Sequence, residues 1–223
     1  MVAAWTKIGD SMSERATFLE RPFLERLRTA TRPAHAAIEH VPALARLMAP
    51  DITLADVGAA LRGLHAFHAG LDPRLAACLV GVPGAAAYHD TTRLPALAED
   101  LAFHGLAPGP AAPPYALPAL PSLGHALGCL YVIEGSSLGG RVIARRLQDA
   151  LGLMASQGAT FFAGRSAAEV RTRFQHLASL LDHEAGFSPA AAAAILAGAN
   201  DTFHQMARWM TDPDRAGAAD LAA

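Results

Sequence analysis

Chemistry in this chain has to come from its histidines, its glycines and a few hydroxyls, because nucleophiles are sparse. There are ten histidines, most of them expected at the surface or in ordinary packing, so spacing must discriminate among them. A di-iron site in a helical bundle needs paired Glu-x-x-His motifs on different helices. None occurs, and the nearest text is Asp201-x-x-His204, once. His65 and His68 stand one turn apart and could share a metal. With no carboxylate or third histidine in register, they read instead as a partly exposed helix face. The two cysteines, Cys78 and Cys129, sit in apolar helical text at neither zinc nor disulfide spacing, so a reducing cytoplasm is the simplest setting. Cys129 has no evident base to activate it and reads as a small buried hydrophobe.

Glycine gives the sharper pattern. From Ser122, a plausible cap, to Gly152, a plausible C-terminal stop, the text is helical but studded with Gly124, Gly128, Gly135 and Gly139, separated by four, seven and four residues. At about 3.6 residues per turn these fall on one narrow stripe, with Gly140 beside it. Each interior glycine costs about 1 kcal/mol relative to alanine, so the cluster needs a compensating use. A neighbouring helix packed against the stripe is one such use. A flat, apolar ligand is the other, favoured by the adjacent pair Gly139-Gly140, which can bend the helix, and by the hydroxyls of Ser136 and Ser137.

The elements that carry these residues are helices. Strand alternation never persists, and alanine, leucine and arginine dominate. Thr53 with Asp56, and Ser166 with Glu169, form capping boxes; Ser188-Pro189 opens a last long helix to about Met210. An early helix starts near Phe18, and Pro33 is expected to kink it or restart it near Thr31, leaving His35 in a first turn. Pro108, Pro110, Pro113, Pro114, Pro118 and Pro121 make a stiff connection. With 223 residues, 52% hydrophobic and 17% charged, one all-α domain over 18–212 is expected, with 1–17 a frayed leader that lacks a secretory pattern and 213–223 a tail. A net charge of −2 gives no electrostatic case for nucleic acid. The apolar run 123–144 contains His125, Glu134 and Arg141, which argues against membrane insertion.

The segment Leu27-Arg28-Thr29-Ala30-Thr31-Arg32-Pro33-Ala34-His35-Ala36-Ala37-Ile38-Glu39 resembles the proximal-histidine helix of haem oxygenases. Leu130-Tyr131-Val132-Ile133-Glu134-Gly135-Ser136-Ser137-Leu138-Gly139-Gly140 is similar to that family's glycine-rich distal helix, particularly in bacterial members. Ala199-Asn200-Asp201-Thr202-Phe203-His204 resembles, more weakly, a late helix whose phenylalanine lines the haem pocket.

The resemblance implies a helical bundle holding haem between a proximal helix and a kinked distal helix. It implies His35 as the iron ligand, Gly135, Gly139 and Gly140 against the distal face, and Arg28 at a propionate. A second basic position is implied near Arg171, Arg173 or His176, with Arg173 as the choice, and Phe203 in the pocket. Some members carry a distal aspartate that organises water near oxygen; Ser136 stands at that position here. The implied activity opens haem to biliverdin with release of iron and carbon monoxide, using O2 and electrons from an external reductase or ferredoxin. Haem is then both substrate and cofactor. The rivals are a non-catalytic haem or bilin carrier on the same fold, and a thiamin-degrading enzyme of the related helical fold with Cys129 as nucleophile.

Overall fold

The computed structural model describes residues 22–108 and 115–211. Those residues form helices α1 (Pro22–Ile38), α2 (Pro42–Arg46), α3 (Leu54–Leu79), α4 (Arg93–Phe103), α5 (Leu123–Leu151), α6 (Thr160–Ala163), α7 (Ala167–Phe187) and α8 (Pro189–Thr211), with a 3-10 turn at Ala85–Tyr88. Among the described residues there is no strand beyond isolated bridges at Met154. The expected leader, the tail and part of the proline-rich connection lie outside the described residues.

The boundaries follow from local chemistry. Thr53 and Asp56 exchange hydrogen bonds as a capping box at the start of α3, and Ser166 and Glu169 do the same for α7. The Ser188 hydroxyl accepts from Ala191 N at the start of α8. Ser122 caps α5, and Gly152 ends it with a φ of 71°, a conformation that favours glycine. Pro33 departs from expectation: α1 runs through it unbroken, and His35 lies in the last turn rather than a first one. The carbonyl that Pro33 leaves without a donor is that of Thr29. Both residues are exposed, so water satisfies the carbonyl and the helix loses one bond without burying an orphan.

The core is built on α5 and α8, which lie closest together. A Cβ on Gly124 would come within 2.8 Å of Ala194 Cβ, and one on Gly128 would run into the Ile195 carbonyl and within 2.7 Å of Ala199 N. From the other side, a Cβ on Gly198 would strike the backbone of His125. Along this half of the stripe glycine is there so that two backbones can touch. At Gly139 the same construction meets nothing within 4 Å. The stripe thus serves both of its possible uses, one at each end. α5 remains a single 29-residue helix through the glycine pair, so the expected kink does not interrupt it.

The described part of the proline-rich connection straps this pair. Trp209, fully buried, donates from Nε1 to Ala116 O at 3.0 Å, and Asp201 accepts from Ala119 N at 2.8 Å. Helix α1 leans on α8 and α7, with Phe23, Leu24 and Leu27 buried along one face.

The two ends of the stripe predict opposite responses to alanine. Gly128→Ala forces α5 and α8 apart and should lower stability by about 1–3 kcal/mol or more, as overpacking does. Gly139→Ala removes a helix-breaking residue in open space and should hold or raise stability by up to about 1 kcal/mol. Thermal melts of the ligand-free variants check this; equal destabilisation at both positions would contradict the division.

Candidate functional site

Below Gly139 lies a cavity of about 510 Å³, within the usual size range for a small-molecule site. Ile38 of α1, Val132, Ser136 and Gly139 of α5, Phe161 of α6 and Phe203 of α8 are among its walls, and those walls are mainly apolar. Ser137 and Gly140 also line it; Gly140 is held close to the Phe162 carbonyl, where a Cβ would come within 3.0 Å. Gly135 is buried in α5 above this stretch, outside the lining. The Ser136 hydroxyl donates to Ile133 O at 2.8 Å, so its proton is spent on its own helix while its lone pairs remain.

His35 is outside the lining of this cavity and meets it through Phe203, one of the walls. Its ring meets Phe203 edge to face at 5.6 Å, and Nδ1 lies 3.7 Å from Glu39 Oε1. That carboxylate oxygen is buried and accepts no hydrogen bond. Burial lowers the His35 pKa, with Glu39 working in the opposite direction, so the imidazole is neutral near pH 7 and fit to ligate a metal. Arg28, two turns earlier, lies 3.8 Å from Glu25 with its side chain 30% exposed. Among the described residues no group of three or more histidines, cysteines or carboxylates could hold a metal by itself.

Arg173 is committed elsewhere. It donates from Nε and Nη2 to both oxygens of Glu134 at 2.8 and 2.7 Å, and from Nη1 to Ala87 O, and it stacks over Tyr88. It is absent from the cavity lining. This fork ties α5 to α7, so the motif's glutamate is structural, and removing either buried partner leaves the other charge uncompensated.

The basic residues that do line the cavity are Arg93 and Arg165, which sequence reasoning missed. Asp90, with its side chain only 2% exposed, accepts from Arg165 at 2.9 Å and from Thr92 N at 2.9 Å, and lies 3.2 Å from Arg93 Nη2. Arg93 Nη1 reaches Asp72 Oδ2 at 2.9 Å, and Asp72 Oδ1 in turn meets His68 Nδ1 at 3.1 Å. His68 is 1% exposed, which corrects the expectation of a half-exposed face. Asp72, one turn on, is the carboxylate in register that the sequence reading overlooked. Asp100, fully buried, accepts from Thr160 N and Phe161 N at 2.8 Å each and so fixes the aromatic wall.

Cys129 is fully buried and its thiol is pushed up to about 12 by burial, which makes it inert as a nucleophile.

A family model described as "Heme oxygenase" matches residues 115–212. The haem oxygenase of Xanthomonas campestris pv. campestris (strain 8004) is 44% identical over 88 residues, 40% of this chain and 50% of that relative. The chain thus matches about half the length of that curated relative. The solved haem oxygenase of Neisseria meningitidis, in NO- and CO-bound forms, superposes with a TM-score of 0.67 at 24% identity, covering 89% of this chain and 94% of that one. The C-terminal half of this chain is thus similar in sequence to haem oxygenases, and its fold is that of a solved member of that family. Among the described residues no helix is long and apolar enough to cross a membrane.

The histidines set a pH dependence. Burial lowers the pKa of His35, His65 and His68, whereas the unfolded chain takes up those protons near about 6.5. The unfolded state therefore binds more protons as pH falls through that value, and stability falls with it. Asp56, Asp72 and Asp90 are all held below the ordinary carboxylate range; their contribution is lost only below about pH 4 and does not offset the histidines. The ligand-free melting temperature should drop between pH 7 and pH 5. A flat or rising profile over that interval would contradict the buried neutral histidines.

Proposed function

We propose that this protein is a haem oxygenase, opening haem to biliverdin with release of iron and carbon monoxide, with O2 and an external electron donor such as a reductase or ferredoxin. The observation that carries the reading is the open face at Gly139, a helical glycine on which an added Cβ would meet nothing within 4 Å, beside a mainly apolar cavity whose Phe203 wall is in ring contact with His35. The residues suit haem. A neutral imidazole would hold the iron, with the Glu39 carboxylate 3.7 Å from Nδ1 as a nearby negative charge rather than a hydrogen-bond partner.

Bound haem supplies the iron that activates oxygen and the macrocycle that is cleaved. The protein orients and encloses. Gly139 keeps the distal side free of a side chain, so a ring could approach the α5 backbone there, while Gly140 makes room for the Phe162 backbone that closes the same wall. Phe203, Ile38 and Val132 exclude water, and Ser136 offers lone pairs where some relatives carry an aspartate. Arg28, half-buried on α1 and outside the cavity lining, would be a basic group toward a propionate that extends past the cavity. The engagement of Arg173 makes it the support of α5 rather than the second propionate partner. Two free thiols suit a reducing cytoplasm. The inert Cys129 argues against the thiamin-degrading alternative.

Titration of the purified protein with haem should give one histidine-ligated complex, and reductant with O2 should then consume the haem and yield biliverdin. His35→Ala should alter the iron's coordination spectrum and leave the helical circular dichroism intact. Gly139→Leu should keep the ligand-free melting temperature and lose turnover by at least about tenfold, about 1.4 kcal/mol in barrier; the exposed helical Gly186→Leu should leave turnover unchanged. Haem bound but never consumed by the parent would identify a carrier, and an unchanged spectrum for His35→Ala would place the ligand elsewhere.

A further inference from the structure

A run of aromatic rings leads from the cavity to the surface, and the haem reading gives it no role. It begins at Phe161 and His68, which line the cavity with ring centroids 6.0 Å apart. Phe67 of α3 stands behind them, fully buried, 5.4 Å from His68 and 6.1 Å from Trp209 of α8. Trp209 is also fully buried and lies one turn along α8 from Met206, itself a cavity wall, so the indole adjoins that wall. The next ring outward is Tyr115, 5.8 Å from the indole and half-buried, with the guanidinium of the exposed Arg208 5.9 Å from its ring centre.

Tryptophan and tyrosine are the aromatic side chains that give up one electron most readily; phenylalanine holds its electrons and serves to couple the rings on either side. Electron transfer weakens steeply with distance, so short steps between touching rings outrun one long step to the surface. The surroundings of the two oxidisable rings set a direction. The indole N–H of Trp209 donates to Ala116 O at 3.0 Å. A carbonyl is too weak a base to take that proton, so an oxidised indole here stays a cation. Burial makes that cation costly, and it pulls an electron from its neighbour. Tyr115 sheds its phenol proton to water as it loses the electron, so the vacancy comes to rest there. The other tyrosines stand elsewhere: Tyr88 stacks on His176 and donates to Arg173 O, and Tyr131 is buried against Phe174.

We propose, building on the haem reading, that Trp209 and Tyr115 carry oxidising equivalents out of the cavity and so protect its walls when peroxide reaches the iron. The oxidant is hydrogen peroxide, whose O–O bond breaks and which takes two electrons and two protons to become two waters. Each electron passes from Tyr115 through Trp209 to the cavity. The phenol O–H bond breaks, its proton goes to water, and the tyrosyl radical left behind is returned to tyrosine by one electron from the external reductant and one proton from solvent. Without this route the wall itself is oxidised: the thioether of Met206, which borders the cavity, takes one oxygen atom from peroxide to become sulfoxide and leaves water.

Two measurements test this. In the ligand-free full chain carrying Trp5→Phe, which leaves Trp209 as the single indole, a UV flash that photoionises the indole should be followed by decay of the indolyl absorbance. A matching first-order rise of tyrosyl absorbance should accompany it, independent of protein concentration. Adding Tyr115→Phe, which keeps the ring and removes the O–H, should abolish the rise. A rise that survives Tyr115→Phe, a rise that scales with concentration, or none at all overturns the proposal. In the ferric haem complex treated with hydrogen peroxide and rapidly frozen, electron paramagnetic resonance should show a tyrosyl radical that Tyr115→Phe replaces with an indolyl one, and mass spectrometry should find more Met206 sulfoxide in that variant than in the parent. Rings that serve only to pack give the contrary results: no tyrosyl signal, one that persists in the variant, or equal Met206 oxidation in both. Failure of the parent to bind haem counts against the haem reading alone, since the flash experiment uses none.

Discussion

The backbone contact between α5 and α8 is the constraint on which the rest of the molecule depends. Gly124 and Gly128 on one helix and Gly198 on the other let the two approach until a methyl group would not fit. That approach sets the level at which α8 presents Phe203 and Met206 to the cavity, and it orients α5 so that Gly139 faces the same space. The glycines do not bond anything. They remove the material that would hold the helices apart, and dispersion along the buried faces then does the holding.

Polar groups complete what close packing begins. Glu134 leaves α5 on the side away from Gly139 and grips Arg173 of α7 with both oxygens, while Arg93 approaches the same carboxylate at 3.9 Å and joins it to Asp72 and Asp90. Buried charges with this many partners specify an arrangement more than they stabilise it, since the cost of desolvating them consumes most of their mutual attraction. They fix the rotation of α5 about its axis, which decides whether glycine or a side chain meets the cavity.

Much of this was legible in the sequence because it is local. Thr53 with Asp56 and Ser166 with Glu169 are three residues apart, and Gly152 stops α5 at the residue where a helical pattern ends. The double use of the glycine stripe was legible only as an ambiguity, since spacing places Gly128 and Gly139 on one face without saying what covers each. Pro33 misled because its cost depends on whether water reaches the Thr29 carbonyl. Arg173 misled because a basic residue near a site looks the same in sequence whether it meets a ligand or a buried glutamate 39 residues away. His68 and Asp72 were within reach of an i, i+4 reading, but the Arg93 that gives the pair its meaning comes from a different helix.

Asp90 links parts of the wall that are far apart in the chain. Its one carboxylate receives Thr92 and Arg93 from its own loop and Arg165 from the turn after α6, and both segments border the cavity. Neither can swing outward without stripping this shielded anion of partners that water does not easily replace. The two borders are therefore coupled through a single carboxylate, and displacing either one strips partners from the group that also holds the other.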